Sequence, residues 1–238
     1  MREIRKRSGF AAVLVSVLLL APAMLAAQSS VEPGFNLFSV EQEIEIGRQS
    51  AREVESQLPL LNDRSVEAYV DAVGQRLAVE APHGDYPYQF KVLNIADVNA
   101  FALPAGFMYL NRGLVETVRN ESELAGVLAH EIAHDDLNHV AKAQTLGAGL
   151  NIGMIILDQI FPGSGAITPI AGQLIARRYS QKEEYAADQH GADLLQKVGM
   201  PRQIMADTLA WLMQTSGGSS GGFFATHPAT ADRIEALR

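Results

Sequence analysis

The 238-residue sequence contains no cysteine. This excludes a disulfide framework, a thiolate metal site and a cysteine nucleophile. Basic residues are also few, since 19 Lys and Arg stand against 27 Asp and Glu, a formal net charge of -8. Nucleic-acid binding is therefore disfavoured, because such proteins usually carry a basic excess. Hydrophobic residues make up 47% of the chain, which is enough for a globular core and too much for a disordered tail.

The first 27 residues have the pattern of a secretory signal peptide. A basic start precedes an apolar run over 10–20, and small residues follow, with cleavage expected after Ala27 or alternatively after Ala23. An uncleaved anchor is the other interpretation, although the run is short for a span of ~20 residues. Cleavage would remove four basic residues and one acidic residue, leaving 15 basic and 26 acidic ones. We therefore expect an exported, soluble, periplasmic protein of a Gram-negative bacterium, with a single domain over 28–238.

Hydrophobic periodicity predicts a mainly helical α+β domain with a small antiparallel sheet. We expect strands over 88–95 and 107–111, and helices over 40–58, 62–80, 120–139, 168–198 with an interruption near Tyr179, 201–214 and 229–237. Asn120 and Glu123 form a capping-box pattern. The apolar stretch 146–160 contains glycine and is short for a membrane span, which favours a buried helix or helical hairpin. Residues 217–222 predict a flexible loop.

The helix predicted over 120–139 contains the pattern His130-Glu131-Ile132-Ala133-His134. Residues i and i+4 lie on one helix face, about 6 Å apart along the axis. Both imidazoles can therefore converge on one Zn²⁺. Glu131 would lie close enough to handle a water bound to that metal.

A third metal ligand is needed, because a catalytic zinc site usually has three protein ligands and an open position. The best source is the segment 183–188, in which Glu184 and Asp188 are spaced i, i+4 on a predicted helix. Glu184 can bind the metal while Asp188 accepts the free N–H of a ligand imidazole. An ordinary solvated helix face explains the same spacing equally well.

At these residues the chain resembles the zinc metallopeptidases of the CAAX prenyl protease and HtpX group, family forty-eight of the metallopeptidases. The resemblance extends to an E-x-x-A-D pattern at 184–188, a strand-and-turn element at 99–106 and a T-H-P element at 226–228. It covers about residues 38–238. The family implies a gluzincin-type zincin domain with a small sheet beside the H-E-x-x-H helix.

The resemblance also implies the roles of individual residues. His130, His134 and Glu184 would hold one Zn²⁺ per chain, Glu131 would act as the general base, and Asp188 would orient His130. His227 follows the loop 217–222 and could close the metal site as a fourth ligand, donate to the developing oxyanion, or be structural. We favour the first of these roles, because a flexible loop suits a gate.

Other residues near these motifs receive less specific predictions. The stretch 135–139 departs from the family, which more often has Val at the position of Asp135 and Arg at the position of Asn138. The two acids Asp135 and Asp136 beside the site could change local pKa values, so the pH optimum stays open. His139 and His190 are expected to point away from the metal as structural residues, and His83 to be solvated. Arg233 either pairs with an acid near the site or anchors the last helix. The strand 107–110 is expected to offer an edge to an extended substrate.

The predicted function is a zinc endopeptidase that cleaves unfolded or misfolded envelope proteins, with polypeptides as partners and no nucleic acid. The alternative is a chaperone-like envelope protein whose zinc site is structural or closed by His227. A third possibility is a protein of the membrane surface that uses residues 146–161, although membrane association is not required. Oligomeric state and natural substrate stay open.

Overall fold

The computed structural model describes residues 38–140, 178–215, 222–228 and 231–238. Its strands are β1 (Gln89–Leu93), β2 (Ala100–Leu103) and β3 (Phe107–Asn111). Its helices are α1 (Val40–Gln57), α2 (Arg64–Ala78), α3 (Arg112–Thr117), α4 (Glu121–Asp136), α5 (Gln181–Lys197), α6 (Gln203–Thr215), α7 (Phe223–Thr226) and α8 (Ala231–Ala236). The mainly helical α+β prediction is confirmed. The predictions for 1–37, 146–160, 168–177 and 217–221 lie outside the described residues.

Polar side chains set the starts of the long helices. Asp63 accepts hydrogen bonds from the backbone of Ser65 at 2.9 Å and of Val66 at 3.2 Å, so α2 begins where the sequence predicts. Asn120 caps α4 by accepting from the Glu123 N–H at 3.0 Å. The Glu123 side chain, however, accepts from the backbone of Arg119 at 2.7 Å, so only half of the expected capping box forms.

The three strands form one mixed sheet in the order β1-β3-β2. The expected antiparallel arrangement holds only for β2 and β3, because a short turn joins these strands. β1 lies on the other side of β3 and runs parallel to it, which the sequence analysis did not predict. Because β3 is paired on both sides, residues 107–110 offer no edge, and the substrate edge expected there is wrong.

The two outer edges of the sheet differ. The edge of β1 is covered by the preceding chain, since Leu61 donates to the Val92 carbonyl at 2.8 Å and Asn94 to the Pro59 carbonyl at 2.7 Å. On the other side, Asn99 accepts from Asn111 at 2.9 Å, so the backbone groups of Ala100 and Ala102 face away from β3. No described strand pairs with that edge of β2.

Helix α4 forms the centre of the core, and every residue from Glu123 to Asp136 is buried. Its neighbours come close because small residues lie at the contacts. A Cβ on Gly191 of α5 would lie 3.0 Å from the Ala129 carbonyl oxygen of α4. This close approach brings the acidic face of α5 against the histidines of α4. Among the described helices, none is both long and apolar enough to cross a membrane.

Helix α4 ends at Asp136, earlier than the sequence predicts. Leu137 and Asn138 form a turn, and Asn138 has a φ of 56°, a left-handed conformation that Asn adopts more readily than most residues. The chain therefore changes direction before His139. As a result, the helical angle from which the orientation of His139 was predicted does not apply.

Candidate metal centre

Four buried side chains from three parts of the chain converge beside α4. His130 and His134 come from α4, Glu184 from the first turn of α5, and His227 from the residue after α7. One ligand atom from each lies within 4.8 Å of all the others. The two Nε2 atoms of the α4 histidines are 3.0 Å apart, and His134 Nε2 lies 3.5 Å from Glu184 Oε1. The i, i+4 spacing thus places both imidazoles on one face.

Asp188 and Arg233 support this cluster from behind. Asp188 Oδ1 lies 3.0 Å from His130 Nδ1, so the carboxylate can fix the tautomer of that ring. Arg233 of α8 donates to both Asp188 oxygens at 2.7 Å and lies 2.5 Å from Glu184 Oε2. Of the two interpretations of Arg233, pairing with acids beside the site is the one observed.

His134 is held by two aromatic neighbours that the sequence analysis missed. Its Nδ1 lies 3.0 Å from Nδ1 of His139, which the turn at 137–138 brings back to the cluster. The expectation that His139 points away is therefore wrong. The Tyr179 ring stacks on His134 with centroids 3.8 Å apart. Periodicity contains no signal for either contact, because His139 follows a turn that redirects the chain and Tyr179 lies outside regular structure.

Glu131 is only 1% exposed, yet neither carboxylate oxygen accepts a hydrogen bond of good geometry from the described residues. Its Oε1 lies 3.4 Å from His227 Nε2. Burial raises the pKa of Glu131, while the nearby His227 and His130 and the backbone of Ala102 act in the lowering direction. A buried carboxylate without a donor is costly unless a further group completes its contacts.

His227 is placed in the cluster by backbone contacts on both sides of α7. Phe223 donates to the Val98 carbonyl at 2.9 Å, and Tyr179 donates to the Thr226 carbonyl at 3.0 Å. The Phe223 ring stacks on His227 with centroids 4.3 Å apart. His227 Nδ1 then lies 3.1 Å from Glu184 Oε1 and 3.2 Å from His130 Nε2.

The charges of the cluster are strongly coupled. Burial lowers the pKa of His134 well below its ordinary value, which keeps that imidazole neutral and able to bind a metal. Burial acts to raise the pKa of Glu184, but His227, His134 and Arg233 outweigh it and hold the pKa well below the usual range. The neutral His134 imidazole, the His130 imidazole, the ionised Glu184 carboxylate and the nearby Glu131 fit a divalent metal with a bound water.

A second group of buried acids lies at the C-terminal end of α4, and we call Glu43, Asp135 and Asp136 the acid cluster. Asp136 accepts from the Tyr88 hydroxyl at 3.0 Å and from His190 Nε2 at 2.8 Å, and Glu43 accepts from Tyr86. The contact of His190 agrees with its predicted structural role.

His83, which was predicted to be solvated, is instead half-buried beside the acid cluster. Its Nε2 lies 3.2 Å from the Asp136 carbonyl, and its ring stacks on Tyr86. The turn that carries His83 therefore packs against the end of α4.

Comparison with known proteins identifies the family. The model of peptidase family M48 matches residues 64–238. The chain belongs to peptidase family M48. Peptidase is the activity in the family's name, and polypeptides are the substrates that this name implies. The family resemblance on the H-E-x-x-H, E-x-x-A-D and T-H-P motifs is thereby confirmed.

Several M48 relatives are curated. The chain is 32% identical to the beta-barrel assembly-enhancing protease of Escherichia coli (strain K12) over 214 residues, which are 84% of this chain and 44% of the relative. It is 28% identical to metalloprotease LoiP of the same strain over 157 residues, covering 64% of this chain and 62% of the relative. Mitochondrial metalloendopeptidase OMA1 of Arabidopsis thaliana is 29% identical over 150 residues, covering 63% of this chain and 31% of the relative. The chain thus spans about half the length of the curated relatives it matches.

Proposed function

We propose that this M48 peptidase is zinc-dependent and cleaves unfolded or misfolded proteins of the cell envelope. The observation that carries the proposal is the Glu131 carboxylate, which is buried beside four converging ligand atoms and accepts no hydrogen bond of good geometry from the described residues. A structural metal site has no need of such a carboxylate, whereas a hydrolytic site uses it to hold and deprotonate a water.

His130, His134 and Glu184 are the proposed zinc ligands. Two imidazoles and one carboxylate suit Zn²⁺, and a three-ligand set leaves one position open for water or substrate. Asp188 lies 3.0 Å from His130 Nδ1 and would keep the Nε2 lone pair of that ring directed at the metal. Zinc bound there would polarise the scissile carbonyl and lower the pKa of its bound water.

Glu131 is the proposed general base and acid. Its carboxylate would take a proton from the attacking water and deliver it to the leaving amine. Burial raises its pKa, so the carboxyl holds a proton more readily once it has taken one from the water. The carboxyl can then deliver that proton to the leaving amine in the second step. The Arg233 ion pairs with Glu184 and Asp188 would hold the supporting carboxylates in place while this happens.

The outer edge of β2 is the proposed substrate platform. The backbone groups of Ala100 and Ala102 face away from β3, but both residues are buried and Ala100 donates its N–H to Asn99 Oδ1 at 3.0 Å. We propose that an extended peptide displaces these contacts and adds there as a further strand. Main-chain hydrogen bonds of this kind recognise an extended conformation more than a particular sequence. Unfolded chains of many sequences could therefore bind there. We also propose that a signal peptide over 1–27 is removed and that residues 28–238 form one periplasmic domain. The name of one relative, the beta-barrel assembly-enhancing protease of Escherichia coli, supports the proposal of an envelope role.

The decisive experiment replaces the base and leaves the ligands intact. Glu131→Gln should keep about one zinc per chain and lose cleavage of an unfolded casein-type substrate by about 10²- to 10⁴-fold. Glu121→Gln, an exposed change on the same helix, is the matched control and should cleave normally. Residual activity of Glu131→Gln near the wild-type rate would contradict the proposed role.

His227 is proposed to gate the metal as a fourth ligand. Its Nδ1 lies among the ligand atoms, and its segment is tied to Val98 and Tyr179 by hydrogen bonds that could break together. If it gates, His227→Ala should raise basal cleavage with zinc retained. If it stabilises the oxyanion, the same change should reduce the rate by roughly 10²- to 10³-fold. An unchanged rate would leave His227 structural.

The same four-ligand arrangement supports the alternative of a chaperone-like protein with a latent zinc site. That alternative predicts that the wild type and Glu131→Gln suppress aggregation of an unfolded envelope protein equally well, without producing fragments. Wild-type fragments that disappear in Glu131→Gln would favour the peptidase. Flotation with lipid vesicles after signal removal would test a membrane-surface role.

A further inference from the structure

Asp135 immediately follows a proposed zinc ligand, but no step of the proposed hydrolysis uses it. Its side chain is 3% exposed. Its oxygens accept hydrogen bonds from two successive backbone N–H groups, those of Gly106 at 2.6 Å and Ala105 at 3.2 Å. These two residues belong to the turn between β2 and β3. A single carboxylate therefore ties the metal-binding helix to the sheet.

The turn that Asp135 holds has an unusual backbone. Ala105 has a φ of 62° and Gly106 a φ of 85°. A left-handed conformation is costly for alanine and persists only when neighbouring groups enforce it. Glycine at 106 also meets a steric need, because a Cβ there would lie 2.9 Å from the Tyr88 ring. Both amides are directed at Asp135 by this backbone.

The position of this turn sets the position of the β2 edge. Leu103, the last residue of β2, pairs with Phe107 directly across the turn. Ala102, one residue earlier, has outward-facing backbone groups and lies near enough to Glu131 to influence its pKa. A shift of the turn relative to α4 would therefore move the proposed substrate platform relative to the proposed base.

We propose that Asp135 is a positioning residue, which fixes the β2 edge against α4 and thereby sets which peptide bond of a bound chain lies at the metal. This inference rests on the proposed function. It assigns a use to Asp135, at a position where the family more often has Val. Since misplacement of a reacting bond by about 1 Å can reduce a rate by ~100-fold, a tie of this kind matters to catalysis.

The test compares Asp135→Ala and Asp135→Asn with Asp136→Asn, an equally buried acid one residue later that contacts Tyr88 and His190 instead of the turn. With a fluorogenic extended peptide, Asp135→Ala should lower kcat at least about 10-fold, retain zinc and yield products cut at more than one bond. Asp135→Asn keeps one acceptor and should fall between Asp135→Ala and the wild type. Asp136→Asn should lose thermal stability but cut at the wild-type bond.

A second readout does not depend on proteolysis. Amide hydrogen exchange at Ala105 and Gly106 should accelerate at least about 10-fold in Asp135→Ala and stay slow in Asp136→Asn, because only the first change removes their acceptor. If the wild type cleaves no peptide, the proposed function fails, but the exchange measurement still decides whether Asp135 holds the turn. Wild-type exchange, or a wild-type kcat with a single cleavage site in Asp135→Ala, would overturn the inference.

Discussion

Two sets of buried acidic side chains lie at the last two turns of α4, and they differ in how their oxygens are hydrogen-bonded. On one side, the metal centre contains the Glu131 carboxylate, which accepts no good hydrogen bond from the described residues. On the other side, the acid cluster of Glu43, Asp135 and Asp136 is just as buried, but tyrosine hydroxyls, a histidine and two backbone amides donate to its oxygens.

This difference shows which buried acids are structural. A buried polar atom with a donor contributes modestly to stability, whereas one without a donor costs about 1–3 kcal/mol and more for a charged group. Such a cost persists where function uses the unsatisfied atom. Substitutions in the metal centre should therefore affect metal binding and turnover, whereas substitutions at the contacts of Glu43 and Asp136 should affect stability. Asp135 is the exception within the acid cluster, because its contact with the turn at 105–106 is proposed to position the substrate.

The largest expected effect is the loss of a metal ligand. Glu184→Ala should weaken zinc binding by more than about 100-fold, beyond the 10- to 100-fold that loss of an outer partner causes. Metal content after dialysis against a zinc buffer measures this, with the neighbouring Glu183→Ala as control. Full retention of zinc in Glu184→Ala would refute the proposed ligand set.

A smaller effect is expected at the outer partner of His134. His139→Ala should weaken zinc binding by about 10- to 100-fold, because the imidazole that fixes the tautomer and orientation of His134 is removed. His190→Ala, which removes a histidine of similar burial from the acid-cluster side, should leave zinc affinity within about twofold. Equal losses of zinc affinity in His139→Ala and His190→Ala would contradict the proposed difference between the metal centre and the acid cluster.

Removal of a donor from the acid cluster should change stability and leave turnover intact. Tyr88→Phe deletes the hydroxyl that donates to Asp136, a hydrogen bond to a charged group worth about 1.5–3 kcal/mol. In a domain of this size, each kcal/mol lowers Tm by roughly 2–4 °C. Tyr69→Phe, at a hydroxyl of the exposed α2 face, should leave Tm unchanged. A lower kcat at 25 °C in Tyr88→Phe would mean that Asp136 also contributes to turnover.

The smallest expected effect is a difference in pH dependence. Burial, followed by the negative charge of Asp136, raises the pKa of folded Asp135 well above its ordinary value. Below about pH 4 both folded and unfolded states hold this proton. As the pH rises, the unfolded state releases it first, so Asp135 lowers the free energy of unfolding until the folded state also ionises.

Asp135→Asn isolates that contribution, since asparagine does not titrate. The free energy of unfolding of the wild type minus that of Asp135→Asn should fall between pH 4 and 7, by about 1.4 kcal/mol for each unit of raised pKa. Urea unfolding at a series of pH values measures it. The metal side has the opposite sign, because the lowered pKa of His134 makes acidification below about pH 6.5 destabilising. If the free energy of unfolding of the wild type minus that of Asp135→Asn rises with pH, the raised pKa of Asp135 is contradicted.

The parts of the site that could be predicted are those within one regular element. The spacing of His130 and His134 determines their common face, and Glu184 and Asp188 repeat the same geometry on α5. Helix starts were predictable for the same reason, because Asp63 and Asn120 act on amides two or three residues away. The resemblance supplied the role of Glu184, which spacing alone left open.

The parts that escaped prediction depend on where the chain turns. His139 was assigned from a helix that in fact ends at Asp136, and Tyr179 contacts His134 from a segment before α5 that has no periodicity. The position of β1 beside β3 is a choice of sheet order, which hydrophobic alternation along each strand does not encode. Long-range packing decides these features.

The buried ion pairs of Arg233 link the proposed metal centre on α4 and α5 to α8. Whenever α8 detaches, Glu184 and Asp188 would face each other without the cation that lies 2.5 Å from one and 2.7 Å from the other. Leaving such acids unpaired is strongly unfavourable. The centre and α8 should therefore open and close as one cooperative unit, so that a local loss of α8 also disassembles the proposed ligand set.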